Sequence, residues 1–180
     1  AWQHCRMPTT KKRLVFEQGH LRKYLVIVDE SAEGEAALYF CASRIVHSSG
    51  SIVMLYVIEP QDFQHWAGVR QMHVEEETNK AKALFRLYRR KLANSGFASV
   101  EVEEAIREGK AADEILKQIE DDPDIAILIL GAAVDAKGPG PLVTALGTGK
   151  AAGTFPIPIT IVPGNLSLDD LLWTFIGAST

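Results

Sequence analysis

Cysteine is scarce in this 180-residue sequence, which holds only Cys5 and Cys41. Two cysteines make no disulfide framework, and no Cys/His cluster has the spacing of a zinc site. A surplus of positive charge is missing too. Nineteen basic residues stand against 23 acidic ones, for a formal net charge of −4. Such a chain has no general attraction for phosphate backbones, so nucleic-acid binding is not expected. Long apolar runs are absent. The longest without tyrosine, residues 125–130, is far too short to span a bilayer, and the first residues carry no apolar stretch of the secretory type. What remains is 47% apolar and 23% charged, the balance of a folded globular domain. The expectation is a cytoplasmic domain with no nucleic-acid and no membrane partner.

Residues 1–22 show no sustained period and carry Lys11, Lys12 and Arg13. They read as an N-terminal extension. Residues 23–164 read as the domain, and 165–180 as a C-terminal helical tail. Within the domain, residues 24–28 form a β-branched run ending at Asp29, the pattern of a strand buried on both faces. Ser31 is a plausible N-cap, followed by Glu33 and Glu35 in the first helical turn. Leu38, Cys41 and Ile45 then recur at helical spacing, and Gly50 is expected to end the helix in a left-handed conformation. A second strand covers 52–58. A long charged helix follows from 69 to 92, with Met72, Ala81, Leu84, Tyr88 and Leu92 on one face. A weaker strand at 100–106 reads as an edge. A helix at 113–120, the strongest strand at 125–130 ended by Gly131, a short helix at 142–152 and a last strand at 157–162 complete the alternation. Ser167 with Asp170 forms a capping box for a terminal helix, whose apolar residues include Leu168, Leu171, Leu172 and Phe175.

Strands alternating with helices imply a parallel sheet covered on both faces. Right-handed crossovers favour an α/β, doubly wound, five-stranded sheet of order 3-2-1-4-5. Ligands in such sheets bind beyond the carboxyl ends of the strands, where the winding reverses. That places Asp29 and the Gly131 segment on opposite lips of one crevice.

Residues 131–153 contain six glycines. A loop of this kind presents backbone N–H groups to a phosphate, or it is a connection needing glycine for tight turns. Pro139 and Pro141 favour the second reading, because each lacks a donor. Residues 147–150, Gly-Thr-Gly-Lys, do not complete a triphosphate-binding loop, since Thr144 stands at the earlier glycine and Ala151 at the required hydroxyl.

In this order, the segments ending at Asp29-Glu30-Ser31, Met54 to Pro60, Arg107 to Leu116, Asp124 to Gly131 and Pro156 to Pro163 resemble the universal stress protein family. The resemblance implies a stress-response binding protein with an adenine nucleotide (ATP, AMP or another) in the crevice. It also implies a homodimer through strand 157–162. In family members that hold ATP the loop reads Gly-x2-Gly-x9-Gly-(Ser/Thr). Gly131 matches its first position, and Gly147-Thr148 resembles its last pair. Val134 stands at the second glycine, and fifteen residues instead of twelve separate Gly131 from Gly147. Asp29 and Val57 match positions that contact adenosine. The resemblance therefore implies nucleotide-binding residues Asp29, Val57, Gly131, Gly147 and Thr148, with a base-binding half present and a phosphate-binding half altered.

No catalytic residue and no metal ligand set is readable, so any ATP hydrolysis is expected to be very slow. His65 and Trp66 read as a loop tip, Cys41 as inert core, and Arg86, Arg89, Arg90 and Lys91 as a solvated helix face. Two alternatives stay open. One is a scaffold that meets a protein partner through the extension and the 63–66 loop. The other is an adenylyl-processing enzyme with Asp135 and Lys137 near its centre.

Overall fold

The structure is a computed structural model and describes residues 12–61, 66–135 and 137–176. Residues 1–11 of the extension, Phe63, His65 and the side chains of Lys150 and Phe175 lie outside the described residues. The elements are β1 (Lys23–Ile27), α1 (Ala32–Ile45), β2 (Ser51–Ile58), α2 (Ala67–Leu92) with a π-type turn over Ala93–Phe97, β3 (Glu101–Glu108), α3 (Ala111–Asp121), β4 (Ile125–Ala132), α4 (Pro141–Gly147), α5 (Gly149–Thr154), β5 (Ile159–Pro163) and α6 (Leu168–Ile176). The five strands pair in parallel in the order β3-β2-β1-β4-β5.

Alternation along the strands divides the core between the two faces. Val26, Ile52, Met54 and Ile129 pack with Leu38 and Cys41 of α1 and Phe85 and Tyr88 of α2. Leu25, Val53, Leu55 and Leu128 pack with Ile115 and Ile119 of α3 and Val143 and Leu146 of α4. Both sides of β1, β2 and β4 are therefore dry, which is why those segments read as continuous apolar runs. Burial also pushes the Cys41 thiol well above its ordinary range, consistent with an inert core group.

β3 lies at one edge, and its four glutamates suit it to that place. Glu103 meets Lys23 at 2.9 Å, Glu104 meets Arg89 at 2.6 Å and Glu108 meets Arg70 at 2.7 Å. Charges of this kind discourage pairing with another strand. Arg89 and Lys91, read as a solvated face, reach across to neighbouring elements. Arg89 also donates to the Val102 carbonyl at 2.7 Å, and Lys91 meets Glu35 at 2.6 Å.

Four expectations change. Gly50 does not adopt a left-handed φ; α1 ends at the Val46 cap. Its lack of a side chain is needed because a Cβ there would lie 2.9 Å from the Arg22 carbonyl oxygen. Met72 is 71% exposed, since burial along α2 begins only at Ala81 and the first turns of the helix overhang the sheet. The single helix expected at 142–152 is two, broken at Thr148, whose extended φ of −131° and ψ of 161° interrupt it. Part of the expected extension is tied to the domain. Arg13 donates to the carbonyls of Ile119 and Asp122 at 2.6 and 3.1 Å, and His20 lies 2.6 Å from Asp124.

Candidate functional site

The winding reverses between β1 and β4, and both helices that flank the reversal start at the carboxyl ends of these strands. Leaving β1, the Val28 N–H donates to the Leu55 carbonyl at 2.9 Å, extending the pairing past Ile27. Asp29 then turns the chain. One carboxylate oxygen accepts from the Ser31 N–H at 2.9 Å and from the Ser31 hydroxyl. Ser31 in turn accepts from the Gly34 N–H at 3.1 Å, so it is the N-cap of α1. The Asp29 carbonyl accepts from the Tyr88 hydroxyl at 2.7 Å. Asp29 is thus held by its own turn while its side chain stays exposed at a cleft.

That cleft has a volume of about 750 Å³. Val28, Asp29, Tyr56, Val57 and Glu59 line it from the strand ends, His73 and Glu77 from α2, Lys110, Ala111 and Ala112 from the start of α3, and Pro141, Leu142 and Ala145 from α4. The Tyr56 hydroxyl donates to Glu77 at 2.6 Å. Burial pushes the Tyr56 phenol upward, and the bond to Glu77 and the charges of Glu30 and Asp29 push it further. Burial likewise raises Tyr88, with Asp29, Glu35 and Glu30 adding to the effect. Nearby negative charge thus adds to burial in raising both tyrosines. Glu59 accepts from the Ala111 N–H at 3.2 Å, the first amide of α3, and the His73 ring lies 3.4 Å from the Glu59 carbonyl oxygen. A second cleft of about 650 Å³ shares Pro141 and Ala145 with the first and is lined by Glu33, Asp135, Lys137 and Thr144.

Of the residues expected at the site, Asp29 and Val57 share the first cleft. Gly131 lies inside β4, paired with Val162, and borders neither cleft. A Cβ there would sit 2.0 Å from the Glu33 carbonyl oxygen, so glycine is required for the start of α1 to pack on β4. Gly147 ends α4 beside Ile161, and the Thr148 hydroxyl donates to the Thr144 carbonyl at 2.6 Å. Neither residue lines either of these two clefts. The glycine that precedes α4 at the cleft is Gly140, followed by Pro141, which brings neither an N–H nor a hydroxyl.

Sequence reasoning missed Glu59, His73, Glu77 and Lys110, and expected no second carboxylate or histidine beside Asp29. His73 and Glu77 are four residues apart and so share one face of α2. That spacing was a usable signal, hidden by attention to the apolar stripe. Among the described residues, no group of three His, Cys, Asp or Glu side chains is placed to hold a metal, and no helix is long and apolar enough to cross a membrane.

A model of the universal stress protein family matches residues 20–163. No curated protein matches the chain's sequence. Among solved structures, universal stress protein UspA from Lactobacillus plantarum is 18% identical, with a TM-score of 0.58 over 78% of this chain and 97% of its own. A universal stress protein family protein from Arabidopsis thaliana with AMP bound is 18% identical, with a TM-score of 0.52 over 79% of this chain and 91% of its own. A universal stress protein in complex with cAMP is 16% identical, with a TM-score of 0.52 over 78% and 96%. The chain belongs to the universal stress protein family.

Proposed function

We propose that this member of the family is a stress-response binding protein, cytoplasmic and homodimeric through the β5 edge, that holds an adenine-containing ligand in the cleft beyond β1 and β2. The observation that carries the reading is the meeting of Asp29 and Val57 on one cleft. Asp29 offers a carboxylate oxygen to ribose hydroxyls, and the backbone at Val57 offers an edge for a base. The AMP and cAMP held by two structural neighbours support an adenine ligand. The phosphate-binding half departs from that of ATP-holding members. Val134 stands at the second glycine and is 67% exposed, and the helix start carries Gly140-Pro141.

Mass spectrometry of small molecules carried through native purification tests the reading, followed by calorimetry with adenosine, AMP and ATP. Asp29→Ala should weaken the ligand by about tenfold, the loss of a charge-assisted hydrogen bond, while the protein stays folded. Retention of no adenine compound, and no binding in calorimetry, would reject the proposal.

Binding without turnover is the reading for chemistry. Catalysis needs a base or nucleophile aimed at the reacting atom. Asp29 is engaged by Ser31, Glu59 by Ala111 and Glu77 by Tyr56. Any ATP hydrolysis should stay below roughly one turnover per minute, against about 10 per second for a median enzyme. Phosphate release at ordinary enzymatic rates, abolished by His73→Ala, would overturn this.

A second reading has its own support. Trp66, Val69 and Met72, at 75%, 45% and 71% exposure, lie together on the overhanging start of α2, which suits a scaffold that meets a protein partner. Binding of a partner lost in Trp66→Ala, with no adenine ligand found, would favour it.

A further inference from the structure

Several of the donors that a phosphate near the cleft would use are already engaged by acceptors of the chain itself. On the α3 side, Glu59 accepts from the Ala111 N–H at 3.2 Å, and Asp113 and Glu114 stand in the same first turn. The positive end of this helix is therefore matched in part by the chain's own carboxylates. On the β4 side, the loop folds onto Asp135. Its carboxylate accepts from the Lys137 N–H at 2.6 Å, and its carbonyl accepts from the Gly138 N–H at 3.3 Å. The Ala133 N–H donates to the Pro139 carbonyl at 3.1 Å. Pro139 and Pro141 have no N–H to offer.

The charges agree with the hydrogen bonds. Asp29, Glu59 and Glu77 line the first cleft against Lys110 alone among its described lining residues of either basic type. Glu33 and Asp135 line the adjoining cleft against Lys137. A phosphate entering either space meets more carboxylates than cations. Like charges brought together at short range oppose binding. An uncharged sugar and base bring hydroxyl and amino hydrogens that those carboxylates can accept, with no charge to be repelled.

We propose that the cleft selects an unphosphorylated nucleoside over its nucleotides, with Glu59 and Asp135 as the specificity-determining residues that occupy the phosphate-binding donors. The inference rests on the adenine reading of the same cleft.

Calorimetry with adenosine, AMP and ATP on the wild type, Glu59→Gln and Asp135→Asn separates the two. The amide variants keep an acceptor of the same shape and remove one negative charge each. Thermal unfolding checks that they fold, and the exposed loop position of Asp135 provides a variant that does not depend on the α3 start. The wild type should bind adenosine at least about tenfold more tightly than AMP, with ATP weaker still. Each variant should narrow the gap by about threefold or more through a gain for AMP, with adenosine nearly unchanged in Asp135→Asn, and the effect should shrink in high salt. AMP or ATP binding as tightly as adenosine to the wild type would overturn the selectivity and leave the adenine reading standing. A correct order that neither variant alters would overturn the assignment to Glu59 and Asp135. No binding of any of the three would overturn the adenine reading and this inference with it.

Discussion

Two glycines that look alike in the sequence sit in different surroundings. A Cβ on Gly131 would lie 2.0 Å from the Glu33 carbonyl oxygen and 2.3 Å from its carbonyl carbon, both backbone atoms at the start of α1. Neither can move without lifting α1 off β4. Gly131→Ala should therefore cost about 3 kcal/mol or more, the upper end of an overpacking penalty. A Cβ on Gly147 would meet the tip of the flexible Ile161 side chain at 3.3 Å and Val143 in ordinary contact at 3.8 Å. Gly147→Ala should change stability by less than about 1 kcal/mol. Denaturant unfolding of the pair checks this, and equal effects would refute the packing role. The same contrast shows how much of the site could be read from the chain. Asp29 just past β1 and Val57 inside β2 fall on strongly patterned strands, and it is the family resemblance that marks them as expected site residues. The Gly131 and Gly147 positions were matched along the sequence, which carries no record of where the loop turns. Only the fold shows that Gly140, with φ of 100° as the N-cap of α4, stands at the cleft.

Strand and helix order was legible because the buried runs are long and the turn residues unambiguous; the boundaries were not. β4 continues through Gly131 to Ala132 because β5 pairs with it there, and the fully buried stripe of α2 begins only at Ala81, with Val74 half-buried against the core before it. The β3–α3 connection contains a device that sequence reading passed over. Glu114 of α3 is buried, and it accepts from Arg107 of β3 at 3.0 Å and from Lys117 at 2.5 Å. The bond from Lys117 and then that from Arg107 hold its carboxyl below the ordinary value of 4.5. A carboxylate with a lowered folded pKa stabilises the protein above its unfolded pKa. The contribution fades as pH falls from that value through the folded one. Glu114→Gln should cost about 1–3 kcal/mol at neutral pH, as expected for hydrogen bonds to charged groups. The lower end is favoured, because Arg107 keeps Gln118 and Asp121 as partners. Melting temperatures at pH 7 should fall by about 2–4 °C per kcal/mol, and the two proteins should converge in acid. A gap that widened on acidification would contradict the assignment.

At the scale of the whole molecule, the two edges of the sheet are unequal. β3 carries Glu101, Glu103, Glu104 and Glu108, and β5 (Ile159–Pro163) carries no charge. One edge is defended against pairing, and the other offers the polar groups of its backbone beside Ile161, which is 44% exposed. A second copy of the chain, related by a twofold axis, would cover that edge with the same residues from each side. The contrast between the edges supports the proposed homodimer. Ile161 also touches α4 through the close approach of its tip to Gly147, so a charge there is better carried on a long, flexible stem that can reach water. Ile161→Lys should leave the far-ultraviolet circular dichroism unchanged and convert the dimer to a monomer at about tens of micromolar protein, a permissive concentration for a moderate interface. Sedimentation equilibrium of the two proteins decides the matter. A monomeric wild type at that concentration would reject the dimer, and a dimeric Ile161→Lys would move the interface away from β5.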